Sequence, residues 1–422
     1  MPLHDHAAGG FVVNSMKRPF TRHKFRHVIP LLVLVVILAF FVSSAQAGGT
    51  TPKLPNPGFR SVGLWDQTIP LRMDIAVWYP SSRLPTELSL EEWSLRVARN
   101  GSAVPGKYPV ILLSHTMAAS RLASHDLAAA LARNGFLVIA PTHPTDNTDD
   151  TSGVFHAALF ANRPKHLLMA LAAVEQSSVL GPLMDRSRIG VLGVGAGAAT
   201  ALQLAGALPD ISRLSEICPE TENGNPLCSQ WAKAFHPRIQ NEFAALLADG
   251  PQVFTPVIHR NMEPLAIDDT LSGQTDDNTV LDSGESNTSA LQIPTVQPIL
   301  AIGLLTPGLV DLFPDASLQT ITSSVGVLAV LNDTVYPIEK SLTRLQQILP
   351  QRPASRTLEH VNHFDVQPPC PSTVLESFTA LCGNQNPEAD DSRQLRNEFF
   401  VRFFQKNLGF PIPPPPSIDR PS

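Results

Sequence analysis

The chain has 422 residues, a formal net charge of −6, and 43% hydrophobic residues spread along its whole length. That much apolar surface can build a sizeable core, which excludes a wholly disordered protein, and the absence of heptads excludes a coiled coil. Charged residues make up only 16% and prolines number 39, against usual shares of about 25% and roughly 5%.

At the N-terminus, Lys17, Arg18, Arg22, Lys24 and Arg26 precede an apolar run from Val28 to Val42, followed by Ala45-Gln46-Ala47. Basic, apolar and small-residue segments in this order predict a secretory signal peptide over residues 1–47, with Met16 as an alternative start. The apolar run is shorter than the ~20 residues of a spanning helix. A periplasmic or secreted chain with no stable membrane span after signal removal is therefore expected. Residues 1–47 carry a net +4, so the remainder stands at −10, which argues against nucleic acid as a partner. Seven acids (Glu263, Asp268, Asp269, Asp276, Asp277, Asp282 and Glu285) lie in one stretch without Lys or Arg, so the acidity is mostly local.

Within the mature chain, segments around Ser61–Trp65 and Arg72–Tyr79 alternate in strand fashion and predict an antiparallel pair ending at Pro80. The pattern then changes to buried strands followed by helices. Tyr108–Ser114, Phe136–Ala140 and Arg188–Leu192 read as strands; Ala123–Asn134, Pro164–Val179 and Ala196–Ala207 read as helices. This alternation predicts an α/β fold, with a mostly parallel central sheet and helices on both faces. Residues 208–250 suit a cap-like insertion, and 263–290 has the composition of an acidic flexible loop. Those acids lack the D-x-D-x-D-G register of a calcium loop. The sheet pattern resumes at Val296–Leu305 and Val325–Leu331, followed by helices near Ile338–Leu349 and Arg393–Leu408 and a Pro-rich tail over 411–422. One domain over 48–410 holds all of this except the tail. Four cysteines fit two disulfides in an exported chain, with Cys218–Cys228 and Cys370–Cys382 the local pairings expected among several connectivities.

The segment from Arg188 to Thr200 runs strand, sharp turn, small-residue helix. Gly193 and Gly197 hold the flanking positions of a G-x-S-x-G nucleophile elbow, whose small residues let strand and helix approach closely. The central position is Gly195, which has no side chain to attack anything. Asp333 follows an apolar strand, and His363 comes later in the chain, in the order nucleophile, acid, base. An imidazole at His363 can serve as general base, with Asp333 holding its tautomer. Upstream, Ser114-His115-Thr116-Met117 follows another strand, where the Met117 N–H could form an oxyanion hole with that of Ala196.

These residues resemble a family of exported esterases similar to dienelactone hydrolases and platelet-activating-factor acetylhydrolases. The likeness includes Ala76-Val77-Trp78-Tyr79-Pro80, Ser114-His115, Asn134-Gly135-Phe136, Ala140-Pro141-Thr142-His143-Pro144, Arg163-Pro164, Arg188-Ile189-Gly190-Val191 and His363-Phe364-Asp365 with Pro369-Cys370-Pro371. The resemblance implies an α/β-hydrolase fold and serine-dependent hydrolysis of a carboxylic ester, with no metal and no cofactor, on a small ester or an acyl or lipid ligand. Three departures stand out: Gly195 for the serine, Val194 for the preceding histidine, and Thr116 for the glycine of the oxyanion turn. Loss of the serine removes the nucleophile and makes a non-catalytic binding or scaffold protein the alternative. Glycine is also the residue that most easily tolerates the positive φ of an elbow.

Two other readings use the same residues. Gly193-x-Gly195-x-x-Ala198 satisfies a dinucleotide-binding turn, but the second strand ending in an acid is missing after it. Ser114 is an alternative nucleophile, placed at a strand end from which it could approach His363. His143 reads as a structural turn residue.

Overall fold

The computed structural model describes residues 54–66, 71–154, 158–213, 298–371 and 388–410. The signal segment, the cap-like insertion beyond residue 213, the acidic stretch and the tail named above lie outside these residues. So do Cys218, Cys228 and Cys382, while Cys370 is disulfide-bonded.

The chain opens with the long antiparallel pair β1 (Asn56–Asp66) and β2 (Leu71–Ser81), in continuous register from Asn56–Ser81 to Asp66–Leu71. A hairpin of β3 (Thr86–Leu90) and β4 (Trp93–Arg99) follows, with β4 pairing β1 in parallel. Its alternation was not legible in the sequence because most of its side chains are exposed or half-buried. Next come β5 (Tyr108–Ser114), α1 (His125–Arg133) and β6 (Leu137–Pro141), close to the expected boundaries.

Helix α2 (Ala158–Gln176) begins before Pro164 rather than at it. A proline inside a helix leaves the carbonyl four residues earlier without its donor. Here that carbonyl belongs to Phe160, and the Gln203 side chain donates to it at 2.8 Å. A side chain from another helix thus makes good the missing bond.

The remaining elements are β7 (Met184–Val194), α3 (Gly197–Leu204), β8 (Ala301–Leu305), β9 (Ser324–Val330), a π-turn over Glu339–Thr343 leading into α4 (Arg344–Ile348), β10 (Ala354–Leu358) and α5 (Glu388–Leu408). Ten strands form one sheet in the order β10-β9-β8-β7-β5-β6-β2-β1-β4-β3. The six from β10 to β6 are mutually parallel, and β2 is antiparallel to them.

Alternate side chains of the buried strands feed two cores, as strand geometry requires. Val110 and Leu112 of β5 pack with α2 and α3 on one face, and Ile111 and Leu113 pack with α1 and α5 on the other. Helix α5 lies close to the sheet because Phe400 rests against Gly303 and Phe403 against Gly326; a Cβ at those glycines would lie 3.0 Å from Phe400 and 2.8 Å from Phe403. Among the described residues no helix is long and apolar enough to cross a membrane.

Candidate active site

Two parallel strands at the centre of the sheet, β5 and β7, end side by side at Ser114 and Gly193. The turn after β7 places Gly195 at φ +54°, in the left-handed region that glycine tolerates best. Ala196 then caps α3. Both flanking glycines are sterically required. A Cβ at Gly193 would lie 2.3 Å from the Gly197 carbonyl oxygen, and one at Gly197 would lie 2.2 Å from the Ser114 carbonyl oxygen. The Gly195 N–H donates to the Leu305 carbonyl at 2.9 Å, and its own carbonyl accepts from the Gly308 N–H at 2.9 Å. The elbow backbone is therefore tied to the loop after β8.

Asp333 stands after β9 and His363 after β10. His363 Nδ1 and Asp333 Oδ2 are 2.8 Å apart, and both side chains are buried. The other carboxylate oxygen of Asp333 accepts backbone N–H bonds from Val335 and Tyr336, each at 2.8 Å. A carboxylate accepts, so Nδ1 carries the proton, and Nε2 is left with a lone pair unless the ring is doubly protonated. Asn362 holds the turn around the ring, accepting from the Phe364 N–H at 2.9 Å. Tyr336 packs edge-on against His363 with ring centroids 5.3 Å apart. The same Tyr336 ring lies 3.5 Å from the point where a Cβ at residue 195 would be. Tyr336 thus spans the elbow and the histidine.

The loop after β5 is held from behind by a buried polar network. Arg163 of α2 donates to the His115 carbonyl at 2.7 Å and to the Thr116 carbonyl at 3.2 Å. It also pairs with Asp146 at 2.6 Å, and Asp146 accepts the Ala118 N–H at 2.8 Å. His115 donates from Nδ1 to the Thr116 carbonyl at 2.7 Å and accepts the His143 N–H on Nε2 at 3.0 Å. This set of bonds is satisfied only by a neutral ring.

The histidines of the network share that state. Burial, reinforced by the Arg163 charge, lowers His115 and His166 to about 3 and places His143 well below its ordinary value. Because the Thr116 carbonyl faces Arg163 and His115, the N–H of the same trans peptide, that of Met117, faces the opposite way. Among the described residues neither the Met117 nor the Ala196 N–H has an acceptor.

The structure therefore brings together Gly195, Ala196, His363 and Asp333, with Met117 on the neighbouring loop. Ser114 goes elsewhere: fully buried, it bonds His143 Nε2 at 2.9 Å rather than approaching His363. His143 is a member of the buried network and not a simple turn residue. Asp146, His166 and Tyr336 had not been singled out in the sequence. Arg163 had been, only as one half of an Arg-Pro pair. Nothing in the local pattern marks a buried charge, since its partner is set by the fold. No group of three or more His, Cys, Asp or Glu among the described residues could hold a metal ion.

Residues 81–180 match the family model for platelet-activating factor acetylhydrolase, isoform II. That segment contains Thr116, Met117, Asp146, Arg163 and His166, and it stops short of Gly195, Asp333 and His363. No curated protein matches the chain. Among solved structures, a ferulic acid esterase from Streptomyces cinnamoneus is similar at 16% identity and a TM-score of 0.46, covering 89% of this chain and 96% of its own. A dienelactone hydrolase-like promiscuous phosphotriesterase from metagenomic libraries is similar at 13% identity and a TM-score of 0.43, covering 82% and 99%. The strand order, with one antiparallel strand beside six parallel ones and the glycine turn after the central β7, is that of the α/β-hydrolase fold.

Proposed function

We propose that the protein is an exported relative of the carboxylic-ester hydrolases whose site binds a small ester or an acyl or lipid ligand, with Gly195 standing in the nucleophile position. In this reading His363 is the general base, Asp333 its orienting acid, and the Ala196 and Met117 N–H groups the oxyanion donors. The observation that carries it is the buried 2.8 Å Asp333–His363 pair joined through Tyr336 to the left-handed glycine turn. The match to an acetylhydrolase family over 81–180 supports the same ligand class. No metal or cofactor enters the scheme. Export, with Cys218–Cys228 and Cys370–Cys382 as disulfides, belongs to the same proposal.

Without a serine hydroxyl, the oxyanion hole and binding alone supply roughly 10³–10⁴-fold catalysis over water. Hydrolysis of p-nitrophenyl acetate by the purified protein and its His363→Ala variant tests the scheme. Turnover that falls in the variant supports it. Equal rates in both would remove His363 from the reaction. The absence of a side chain at Gly195 favours a second reading, a binding protein that holds acyl ligands uncleaved. Mass spectrometry of co-purified material together with no turnover would select it.

A further inference from the structure

Gly195 leaves a hole, and the structure shows what fills it. A Cβ built on Gly195 would lie 2.3 Å from Thr116 Oγ1 and 3.0 Å from Thr116 Cβ. The threonine side chain therefore occupies the space into which a residue-195 side chain would grow. Among the described residues its hydroxyl has no hydrogen-bond partner, and it is not among the buried polar atoms that lack one. It is thus an unpaired hydroxyl within reach of solvent.

We propose that Thr116 supplies the hydroxyl that residue 195 lacks, so that the nucleophile stands on the other side of the oxyanion hole. This rests on the ester-hydrolase reading above. In α/β-hydrolases the N–H of the residue after the nucleophile is one oxyanion donor, and the second comes from the facing loop. Transfer of the hydroxyl from 195 to 116 keeps both donors and exchanges their roles. Met117 becomes the residue after the nucleophile, and Ala196 becomes the facing donor. The clamp on the Thr116 carbonyl by Arg163 and His115 then fixes the nucleophile's own backbone.

The reaction balances with water as the only co-reactant. Thr116 Oγ1 forms a bond to the ester carbonyl carbon while its proton passes to His363 Nε2. The carbonyl oxygen takes the negative charge, and the Met117 and Ala196 N–H groups receive it. On collapse the C–O bond to the alcohol breaks, and His363 returns the proton to the leaving oxygen. A water then attacks the acyl-threonine, gives its proton to His363, and releases the acid as Thr116 regains its own. In the free protein Oγ1 and Nε2 are not hydrogen-bonded; catalytic contacts of this kind often tighten only when substrate is bound.

The test is to label the purified protein with a fluorophosphonate and map the adduct by peptide mass spectrometry, beside p-nitrophenyl acetate kinetics on Thr116→Ser, Thr116→Ala and the double variant Thr116→Gly/Gly195→Ser. The proposal expects the adduct on Thr116, kept in Thr116→Ser and lost in Thr116→Ala, with kcat falling about 100-fold or more in the latter. An unlabelled Thr116, or equal kcat in wild type and Thr116→Ala, overturns it. If the double variant then gains turnover and label at position 195, Thr116 is only a filler and the ester-hydrolase reading stands. If the double variant also stays inert while folded, both readings fail together. Labelling of the wild type needs no variant to fold.

Discussion

The two halves of the site are built by opposite means. The loop after β5 is positioned by side chains: Arg163, Asp146, His115, His143 and His166 form a buried network that fixes the backbone from Ser114 to Ala118. The elbow after β7 is positioned by the lack of side chains, with Gly193, Gly195 and Gly197 letting strand, helix and neighbouring loop touch backbone to backbone. One half depends on charge held out of water, where a lost partner is costly. The other depends on van der Waals clearance, where a single added carbon is costly. The family match over 81–180 falls on the first half, and Gly195 falls on the second.

The largest expected effect breaks the charged half. Arg163→Met leaves the Asp146 carboxylate buried without its cation, and truncating one partner of such a pair costs about 3–5 kcal/mol. Urea unfolding would show the loss as a lower midpoint at constant slope. Gly197→Ala attacks the glycine half, since its Cβ would meet the Ser114 carbonyl at 2.2 Å and backbone cannot swing aside. A loss of about 3 kcal/mol is expected, and this one does not vary between pH 7 and pH 5 beyond the wild-type trend.

Acid separates the halves further. His115, His143 and His166 are held neutral in the folded state, with His115 and His166 lowered to about 3. The unfolded chain binds their protons below about pH 6.5 and the folded one does not, so stability is full above that value and falls as pH drops toward 3. His115 and His166 each account for roughly 2 kcal/mol between pH 7 and pH 5. Unfolding of His166→Gln across that range should show a shallower slope than wild type, and an unchanged slope would mean His166 is not held neutral by the fold.

The smallest effect lies where the halves meet. Gly195→Ala combines left-handed strain of about 1 kcal/mol with the contact against Thr116. The Thr116→Gly background should relieve only the second part, giving a coupling of about 1 kcal/mol in a double-mutant cycle. No coupling would mean that the Thr116 side chain leaves position 195 open.

Most of the central sheet could be read from the chain. The apolar runs Tyr108–Ser114 and Val325–Leu331 appear as β5 and β9 within a residue, because strands buried on both faces have no polar positions to confuse the pattern. Strand β10 was not legible, since four of its five residues, including Arg356, are exposed at the sheet edge. The start of α2 was misplaced because Gln203, a residue on another helix, donates to the Phe160 carbonyl the bond that Pro164 cannot. In the site, the glycine spacing and the order Gly195, Asp333, His363 were visible as motif. The network of Arg163, Asp146 and His166 was not, because burial of charge depends on partners distant in sequence.

By itself the sequence determined the alternation of strands and helices, the backbone turn at Gly195 and the side-chain chemistry available at Asp333 and His363, all properties of residue type and local spacing. Only the tertiary structure decided that Ser114 turns inward to His143, that Arg163 and His115 aim the Met117 N–H outward, and that the Thr116 hydroxyl fills the space beside Gly195. Those outcomes follow from side-chain direction and close packing between segments far apart in the chain, and no local pattern encodes which side chain will occupy a vacated volume.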